Sequence, residues 1–359
     1  AVGASTHSRA FISNIRVKGP GNPPQGIWGG SVSVTKKLRN YNLVDAEGIA
    51  DETGDTSGQC LNPFPEGTFG SKDVVLCNPY DFGTARTTRV ANVAVGGGAA
   101  VIFHNAPIVS VTPTDNHPKP TVHMTYEVGQ PLKDYLDAHP GRVKVTLTPS
   151  KARYAHRDPR VVSYVMTSFS SRGPNPAAED IIKPDVTAPG FSILAAASPM
   201  HVGTAAQGEL FQAIMGTSMS SPEVAGIFAL LKQAHPDWSP AMAKSALMTS
   251  ASNWVIQEDG YSWATPFDAG AGHVDVSPLD RNSAFSPGLV FDAGLNEYFG
   301  FLCGAEPEIF SDPEATCGGL AAAGIPLDPS DLNLPSIGVA SRAGTQTVVR
   351  TVTNVSGAE

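Results

Sequence analysis

Residues 215–222 (MGTSMSSP) are the part of this chain best suited to chemistry. Ser218 follows a Gly-Thr pair, and an apolar run at helical spacing begins directly after it. A serine in such a turn lies at the positive end of a helix dipole, where backbone N–H groups can meet a developing oxyanion. The pattern predicts a nucleophile, and the alternative for an isolated Gly-Thr-Ser is a helix N-cap.

A serine hydroxyl is a weak nucleophile unless a base takes its proton. No base is evident in the sequence around Ser218. The histidines that precede it are scattered, and they are His7, His104, His117, His123, His139, His156 and His201.

Two helices must position Ser218. The first is expected from about residue 218 to 234 and, because it is apolar nearly all round, at the buried centre of a domain. The second begins at Ser239-Pro240, an N-cap serine with proline at the first helical position. Short strands are predicted at residues 161–169, 186–188 and 193–196.

Residues 36–149 indicate a separate module in which strand and helix patterns alternate, as in a small α/β fold. Its predicted strands are 74–77, 100–103 and 143–147, and its predicted helices are 90–95 and 132–138. Residues 1–35 contain short strand patterns around Ile15 and Val17 and around Val32 and Val34. Residues 331–359 alternate in a β-pattern but end too soon to close a β-sandwich.

The composition is typical of a loop-rich globular protein. The 359 residues are 41% hydrophobic and 16% charged, with 36 glycines and 30 prolines. No apolar run has transmembrane length, and the net charge of −9 argues against nucleic acid as a partner. We therefore expect neither a nucleic-acid nor a membrane partner.

The four cysteines fall into two close pairs, Cys60 with Cys77 and Cys303 with Cys317. Two disulfides in a secreted protein are the preferred interpretation, with free buried thiols as the alternative. No C-x-x-C motif occurs and no histidine has zinc-ligand spacing, so neither a metal nor a cofactor is predicted. The sequon at Asn354 agrees with secretion, but such triplets are common by chance.

Several blocks occur in an order typical of one family. They are residues 169–174 (FSSRGP), 183–190 (KPDVTAPG), 216–219 (GTSM), 235–240 (HPDWSP) and 270–274 (GAGHV). The chain resembles the subtilisin-like serine proteases that carry an inserted protease-associated domain, in particular their plant-type branch. Residues 75–77 and 96–105 resemble the inserted domain, and residues 331–336 and 349–355 resemble the first strands of a fibronectin-like domain.

The resemblance implies an α/β fold: part of a subtilisin-like parallel-sheet domain, an inserted small α/β domain, and the first strands of a β-sandwich. The expected boundaries are 1–35 and 150–325 for the catalytic core, 36–149 for the inserted domain and 326–359 for the fibronectin-like start. Ser218 would attack a peptide carbonyl, with its own N–H as one oxyanion donor. The family's Asp, His and oxyanion Asn would lie before residue 1, because the family order is Asp, His, Ser. The chain is therefore expected to be inert alone.

Other residues match the triad in part. His201, followed by Val-Gly-Thr, resembles the family's His-Gly-Thr helix start but lacks the adjacent glycine, so a surface loop is predicted. Asp55 lies in a polar stretch that predicts a solvated loop. Asp185 fits a strand end or a cap better than a triad position.

Two residues depart from the family pattern. Glu223 stands where histidine is usual, and Met215 replaces the usual serine before the turn. Five residues past Ser218, Glu223 lies well around the helix and is a poor base. Because an unpaired buried carboxylate is costly, we expect Glu223 to be partly exposed or hydrogen-bonded.

The leading hypothesis is a secreted serine endopeptidase acting on proteins or peptides. The alternative is a non-catalytic secreted protein- or peptide-binding protein derived from a protease. Self-association as a homodimer through the inserted domain is a further possibility. Labelling of the full-length protein by a fluorophosphonate probe separates the first two, and light scattering decides the third.

Overall fold

A computed structural model describes residues 1–79, 85–107, 111–200, 210–277 and 283–356. They fall into two compact units. The helical unit comprises Ala1–Thr6, Tyr164–Gly190 and Gly216–Glu359, and the barrel unit comprises His7–Ser163 and Phe191–Met215. In the described ranges, no helix has the length and apolar character needed to cross a lipid bilayer.

The strands in chain order are β1 (Val2–Ser5), β2 (Arg9–Lys18), β3 (Trp28–Gly30), β4 (Leu38–Asp45), β5 (Asp73–Cys77), β6 (Ala100–His104), β7 (Thr121–Met124), β8 (Lys144–Leu147), β9 (Lys151–Tyr154), β10 (Val186–Pro189), β11 (Ile193–Ala196), β12 (Phe211–Ile214), β13 (Leu289–Phe291) and β14 (Val352–Asn354). The α-helices are α1 (Arg86–Val95), α2 (Tyr126–Ala138), α3 (Thr217–Ala234), α4 (Pro240–Thr249), α5 (Pro266–Ala269), α6 (Leu295–Ala305) and α7 (Pro313–Ala322). Single 3₁₀ turns lie at Pro307–Ile309 and Pro329–Asp331.

The barrel unit is built on a sheet in the order β3-β7-β6-β5-β4-β8-β2-β9, and β2 also pairs with β3 and so closes it. β4, β5, β6 and β7 run parallel to one another, with α1 between β5 and β6. Parallel strands need such crossovers, and their two covered faces favour continuous apolar sequence. A separate antiparallel pair, β11 with β12, belongs to the same unit.

Side-chain alternation divides the barrel unit's apolar residues between two clusters. Val74 and Leu76 of β5 join the cluster that contains Leu132 of α2, whereas Val75 joins the cluster that contains Val90 of α1. Successive strand residues point to opposite faces, so the central strand is buried on both sides.

The helical unit has its own apolar core, built around a pair of parallel strands. β1 and β10 pair in parallel, with Val2 opposite Val186. Val224 and Leu231 of α3 pack in one cluster with Val186 and with Leu247 of α4. β13 and β14 form an antiparallel pair elsewhere in the unit.

Both predicted disulfides are present, Cys60–Cys77 and Cys303–Cys317. The first joins a loop to β5 inside the barrel unit, and both of its cysteines are buried. The second joins α6 to α7. The predicted mixed α/β class is confirmed, since parallel strand pairs occur in both units.

Some predicted strands are absent from the described residues. Residues 161–169 contain only single bridges, Val165 with Ile256 and Met166 with Ser5, because this apolar run has no continuous neighbouring strand to pair with. Val32 and Val34 fall after β3, in a turn. In 331–356 the β-pattern yields only β14 as a regular strand.

The predicted burial of the first helix is wrong. α3 begins and ends where expected, but only Ser220, Val224 and Leu231 are buried in it. Leu230 is 55% exposed. The helix packs on one side only, against β1, β10 and α4, so its apolar character on the other side does not produce burial.

The contact-based units begin and end at other residues than the predicted domains. β2 and β3, which fall in the predicted core segment 1–35, pair with strands of the predicted module 36–149. A compact unit is defined by the contacts within it, and its limits need not coincide with the domain boundaries of a protein family. The boundaries at 1–35, 36–149, 150–325 and 326–359 therefore stay predictions.

Candidate active site around Ser218

The turn that presents Ser218 is anchored through backbone hydrogen bonds. The Gly216 N–H donates to the Gly190 carbonyl at 2.8 Å, and the Gly190 N–H donates to the Ser5 carbonyl at the end of β1 at 3.0 Å. Gly216 has φ 155° and ψ 163°, a region that is essentially restricted to glycine. The turn is therefore fixed to the β1–β10 pair by two glycines.

Gly190 also leaves room for this close approach. A Cβ at position 190 would lie 2.6 Å from the Ala4 Cβ and 2.9 Å from the Gly216 carbonyl oxygen. Any larger residue would push the turn away from β1. The requirement for glycine here comes from space and not from backbone angles.

The first turn of α3 leaves backbone donors available. The Gly216 carbonyl accepts from the N–H groups of Met219 at 3.0 Å and Ser220 at 3.4 Å. The N–H groups of Thr217 and Ser218 have no acceptor among the described residues. Unsatisfied N–H groups at a helix start favour a negative charge nearby, so this turn can hold an oxyanion.

The Ser218 side chain is exposed and makes no hydrogen bond within the described part of the chain. No described histidine contacts it. In the same unit, His235 Nε2 bonds the Phe285 carbonyl at 3.0 Å, and His273 Nδ1 bonds the Val274 carbonyl at 3.0 Å. His201 lies outside the described residues.

Glu223 is half-buried, as expected, and burial raises the pKa of its carboxyl. Within the described ranges it forms no ion pair. Five residues after Ser218, Glu223 lies well around α3 from that serine. Met215 is half-buried beside the turn. Neither residue supplies a base to Ser218.

Asp185 has a structural environment, in agreement with its predicted role at a strand end. Its buried carboxylate lies 2.8 Å from the Nζ atoms of both Lys183 and Lys244. Burial alone would raise its pKa, but the two lysines outweigh burial and hold the pKa below its usual range. The carboxylate is thus committed to ion pairing.

Asp55 forms a local turn. Its carboxylate accepts from the Ser57 N–H at 2.9 Å and the Ser57 hydroxyl at 2.7 Å. Such turns are common uses of aspartate in loops. The partial match to a triad motif therefore has a local structural explanation.

One group of chemically capable side chains was not predicted from the sequence. Asp115, His117 and His123 of the barrel unit converge, with one ligand atom from each lying within 4.8 Å of the others. Burial lowers the pKa of His117 to about 4, and burial also holds the pKa of His123 well below its usual range. The only sequence signal is Asp-x-His followed by a histidine six residues later, which matches no standard zinc spacing.

Comparison with protein families decides the family. The model described as "Subtilase family" matches residues 87–301, more than half of the chain. The chain belongs to the subtilase family.

The curated relatives of this subtilase are described as subtilisin-like proteases, in agreement with the family match. "Subtilisin-like protease SBT5.3" of Arabidopsis thaliana is 33% identical over 390 residues, covering 99% of this chain and 46% of the relative. "Subtilisin-like protease SBT2.5" of the same plant is 36% identical over 370 residues, covering 90% of this chain and 44% of the relative. The chain thus spans about half the length of the curated relatives it matches.

Among solved structures, this subtilase is similar to the psychrophilic subtilisin-like protease Apa1 from the Antarctic Pseudoalteromonas sp. AS-11. The identity is 10% and the TM-score is 0.25, with 78% of this chain and 52% of that chain covered. At this TM-score the likeness carries no argument.

Proposed function

We propose that Ser218 is the acyl-accepting nucleophile of a secreted serine endopeptidase. The observation that carries the proposal is its position: an exposed hydroxyl at the start of α3, beside two unoccupied backbone N–H groups. Membership of the subtilase family supports a peptidase reaction. The plain alternative, an N-cap, does not apply, because the cap position is Gly216 and Ser218 lies inside the helix.

In the proposed reaction, Ser218 Oγ attacks the carbonyl carbon of a peptide bond while a histidine base takes the hydroxyl proton. The carbonyl oxygen becomes an oxyanion that accepts from the Ser218 N–H and from a second donor. Collapse expels the amine, which receives the proton from the imidazolium and leaves an acyl-enzyme. Water then releases the acid by the same steps and restores the serine.

We propose that the base, its orienting aspartate and the second oxyanion donor come from parent sequence outside these 359 residues. Two findings support this: no described residue bonds the Ser218 hydroxyl, and the curated relatives extend well beyond the matched part. The 359 residues alone are then expected to be inert. Full peptidase activity in this chain alone would contradict this part of the proposal.

Two disulfides support secretion, because such bonds persist in oxidising compartments. We further propose that residues 36–149, which lie within the barrel unit, form the inserted protease-associated domain and that residues 326–359 begin a fibronectin-like domain. The barrel unit has a closed sheet, crossover helices and an apolar core of its own. This supports the proposal that the insert packs independently. Light scattering measures the mass of the full-length protein in solution and so tests whether it forms a homodimer. Loss of the dimer after mutation of exposed residues in the barrel unit would assign the contact to that unit.

A fluorophosphonate probe tests the central proposal. The full-length protein is expected to be labelled, and Ser218→Ala is expected to abolish labelling. Ser221→Ala is the matched control, because Ser221 is also exposed on the same helix and should leave labelling unchanged. Absence of labelling in a folded full-length protein that still binds peptides would favour the non-catalytic alternative.

A further inference from the structure

The barrel unit contains a compact set of metal-type donor atoms, on residues other than those of the proposed peptidase chemistry. The Nε2 atoms of His117 and His123 share a hydrogen bond at 2.9 Å, in which one ring donates its Nε2–H to the other. The Oδ2 atom of Asp115 lies 3.9 Å from the His117 Nε2. Two imidazoles and one carboxylate therefore point their donor atoms toward one small volume.

This volume is inside the protein. His123 on β7 is 1% exposed, and the His117 side chain is 2% exposed. The His117 Nδ1 atom is buried and has no hydrogen-bond partner in the described part of the chain. Buried polar atoms are normally paired; the unpaired atom of His117 is Nδ1, whereas the atom that faces His123 and would serve as the ligand is Nε2.

Neighbouring groups hold the three donors in place. Arg86 donates two hydrogen bonds to the Asp115 carboxylate, from Nε to Oδ2 at 2.5 Å and from Nη2 to Oδ1 at 3.1 Å. Phe103 packs against the His123 ring at 4.8 Å between centroids, with the two ring planes tilted by 36°. Ligating carboxylates and histidines in metal sites are commonly oriented by such outer contacts, and the second lone pair of Oδ2 remains available to a cation.

We propose that Asp115, His117 and His123 bind one divalent transition-metal ion of the zinc type. Imidazole nitrogen with a carboxylate oxygen is the donor set that zinc accepts, and three protein ligands leave the fourth position to water. Zn–N bonds of about 2.0–2.1 Å at a tetrahedral angle separate the two nitrogens by about 3.3 Å. The ion would take the place of the proton that joins the two Nε2 atoms, which is released to solvent or moves to Nδ1, and the observed 2.9 Å needs an opening of only a few tenths of an ångström.

The ion would fasten the loop before β7 to β7 itself, because Asp115 and His117 lie in the loop and His123 lies on the strand. The same loop also contacts residues next to and within the β11–β12 pair of this unit. Within that loop, the Asn116 side chain donates to the Phe211 carbonyl at 3.2 Å and accepts from the Ala213 N–H at 3.4 Å. Thr114 donates to the Ser192 hydroxyl at 2.8 Å. We expect metal binding to stabilise this loop and the strand pair together.

The test is a titration of the chelator-treated full-length protein with Co²⁺, followed by displacement with Zn²⁺. Binding of one ion per chain, with the visible absorption of tetrahedral Co²⁺, is expected. His117→Ala should weaken binding by at least about 100-fold, since losing a direct ligand exceeds the 10–100-fold typical of outer-shell changes. His156→Ala is the matched control, because it removes an exposed histidine of the same unit and should leave binding unchanged.

Asp115→Asn is the second variant. Because it keeps the side-chain shape, it still tests the proposal if His117→Ala does not fold. It is expected to weaken Co²⁺ binding while leaving the circular dichroism spectrum of the metal-free protein unchanged. Failure of the wild type to bind one ion per chain overturns the proposal. So does equal binding by wild type, His117→Ala and Asp115→Asn.

Discussion

The two units differ in how completely they cover their apolar residues. In the barrel unit, Val74, Val75 and Leu76 are each fully buried because β5 is covered on both faces. In the helical unit, α3 is apolar nearly all round, yet Leu230 is 55% exposed. The hydrophobic pattern states which residues favour burial, and only the packing partners present determine which of them are buried.

Removal of each disulfide gives the largest expected effect on stability and probes this difference directly. The bonds close loops of similar length, with sequence separations of 17 and 14. Each should therefore contribute about 3 kcal/mol through the entropy of the unfolded chain. Replacing Cys60 and Cys77 by alanine should cost more than replacing Cys303 and Cys317, because the first pair lies in the barrel core and its loss also leaves a cavity. Denaturant unfolding of both double variants measures the difference, and equal losses would show that core burial adds nothing.

Asp185→Asn should destabilise the helical unit by about 2–3 kcal/mol. This lies below the 3–5 kcal/mol typical of breaking a buried pair, because Lys183 and Lys244 are partly exposed. The pKa of Asp185 is lowered in the folded state, so its stabilisation is present above the unfolded carboxyl pKa of about 3.9 and fades as pH falls below it. Unfolding curves of wild type and variant should converge in acid. A difference that is the same at every pH would exclude the ion-pair explanation, and Asp237→Asn on the surface is the control.

Gly190→Ala should cost about 1–3 kcal/mol by overpacking, because the new Cβ would meet Ala4 and the Gly216 carbonyl. The same change should reduce peptidase activity in the full-length protein, since it displaces the turn before Ser218. Gly226→Ala is the matched control: a Cβ there meets nothing within 4 Å, and helix propensity should make it stabilising by about 0.5–1 kcal/mol. Thermal melts compare the two, and a harmless Gly190→Ala would refute the close-approach argument.

Ser239→Ala should have the smallest effect, about 1 kcal/mol. The Ser239 hydroxyl accepts from the Met242 N–H at 3.0 Å and caps α4. Ser239→Thr, which retains the hydroxyl as the capping acceptor and as the donor to Asp292, should recover most of the loss. Chemical denaturation measures both variants, and an unchanged stability in Ser239→Ala would show that the cap is dispensable.

Local sequence signals correctly predicted those helices and strands that are packed against neighbouring elements. The helix start at Ser239-Pro240 follows from a cap and a proline, and the strand at residues 74–77 follows from an apolar run between turn signals. Residues 161–169 were wrongly predicted as a strand because an apolar run alone does not supply a neighbouring strand; there only single bridges form.

The candidate site was predictable in part. The Gly-Thr-Ser turn identified Ser218, but the need for glycine at position 190 arises from contacts with residues distant in sequence, Ala4 and Gly216. The convergence of Asp115, His117 and His123 likewise depends on the loop geometry before β7. Side chains that meet through tertiary folding leave no fixed spacing in the sequence.

The most direct test of the account is the mapping of a fluorophosphonate adduct by mass spectrometry on the full-length protein. The account predicts the adduct on Ser218, with unmodified Ser220 and Ser221 in the same peptide. An adduct on another residue, or none on Ser218 in a protein that hydrolyses peptides, would contradict the assignment of Ser218 as the nucleophile.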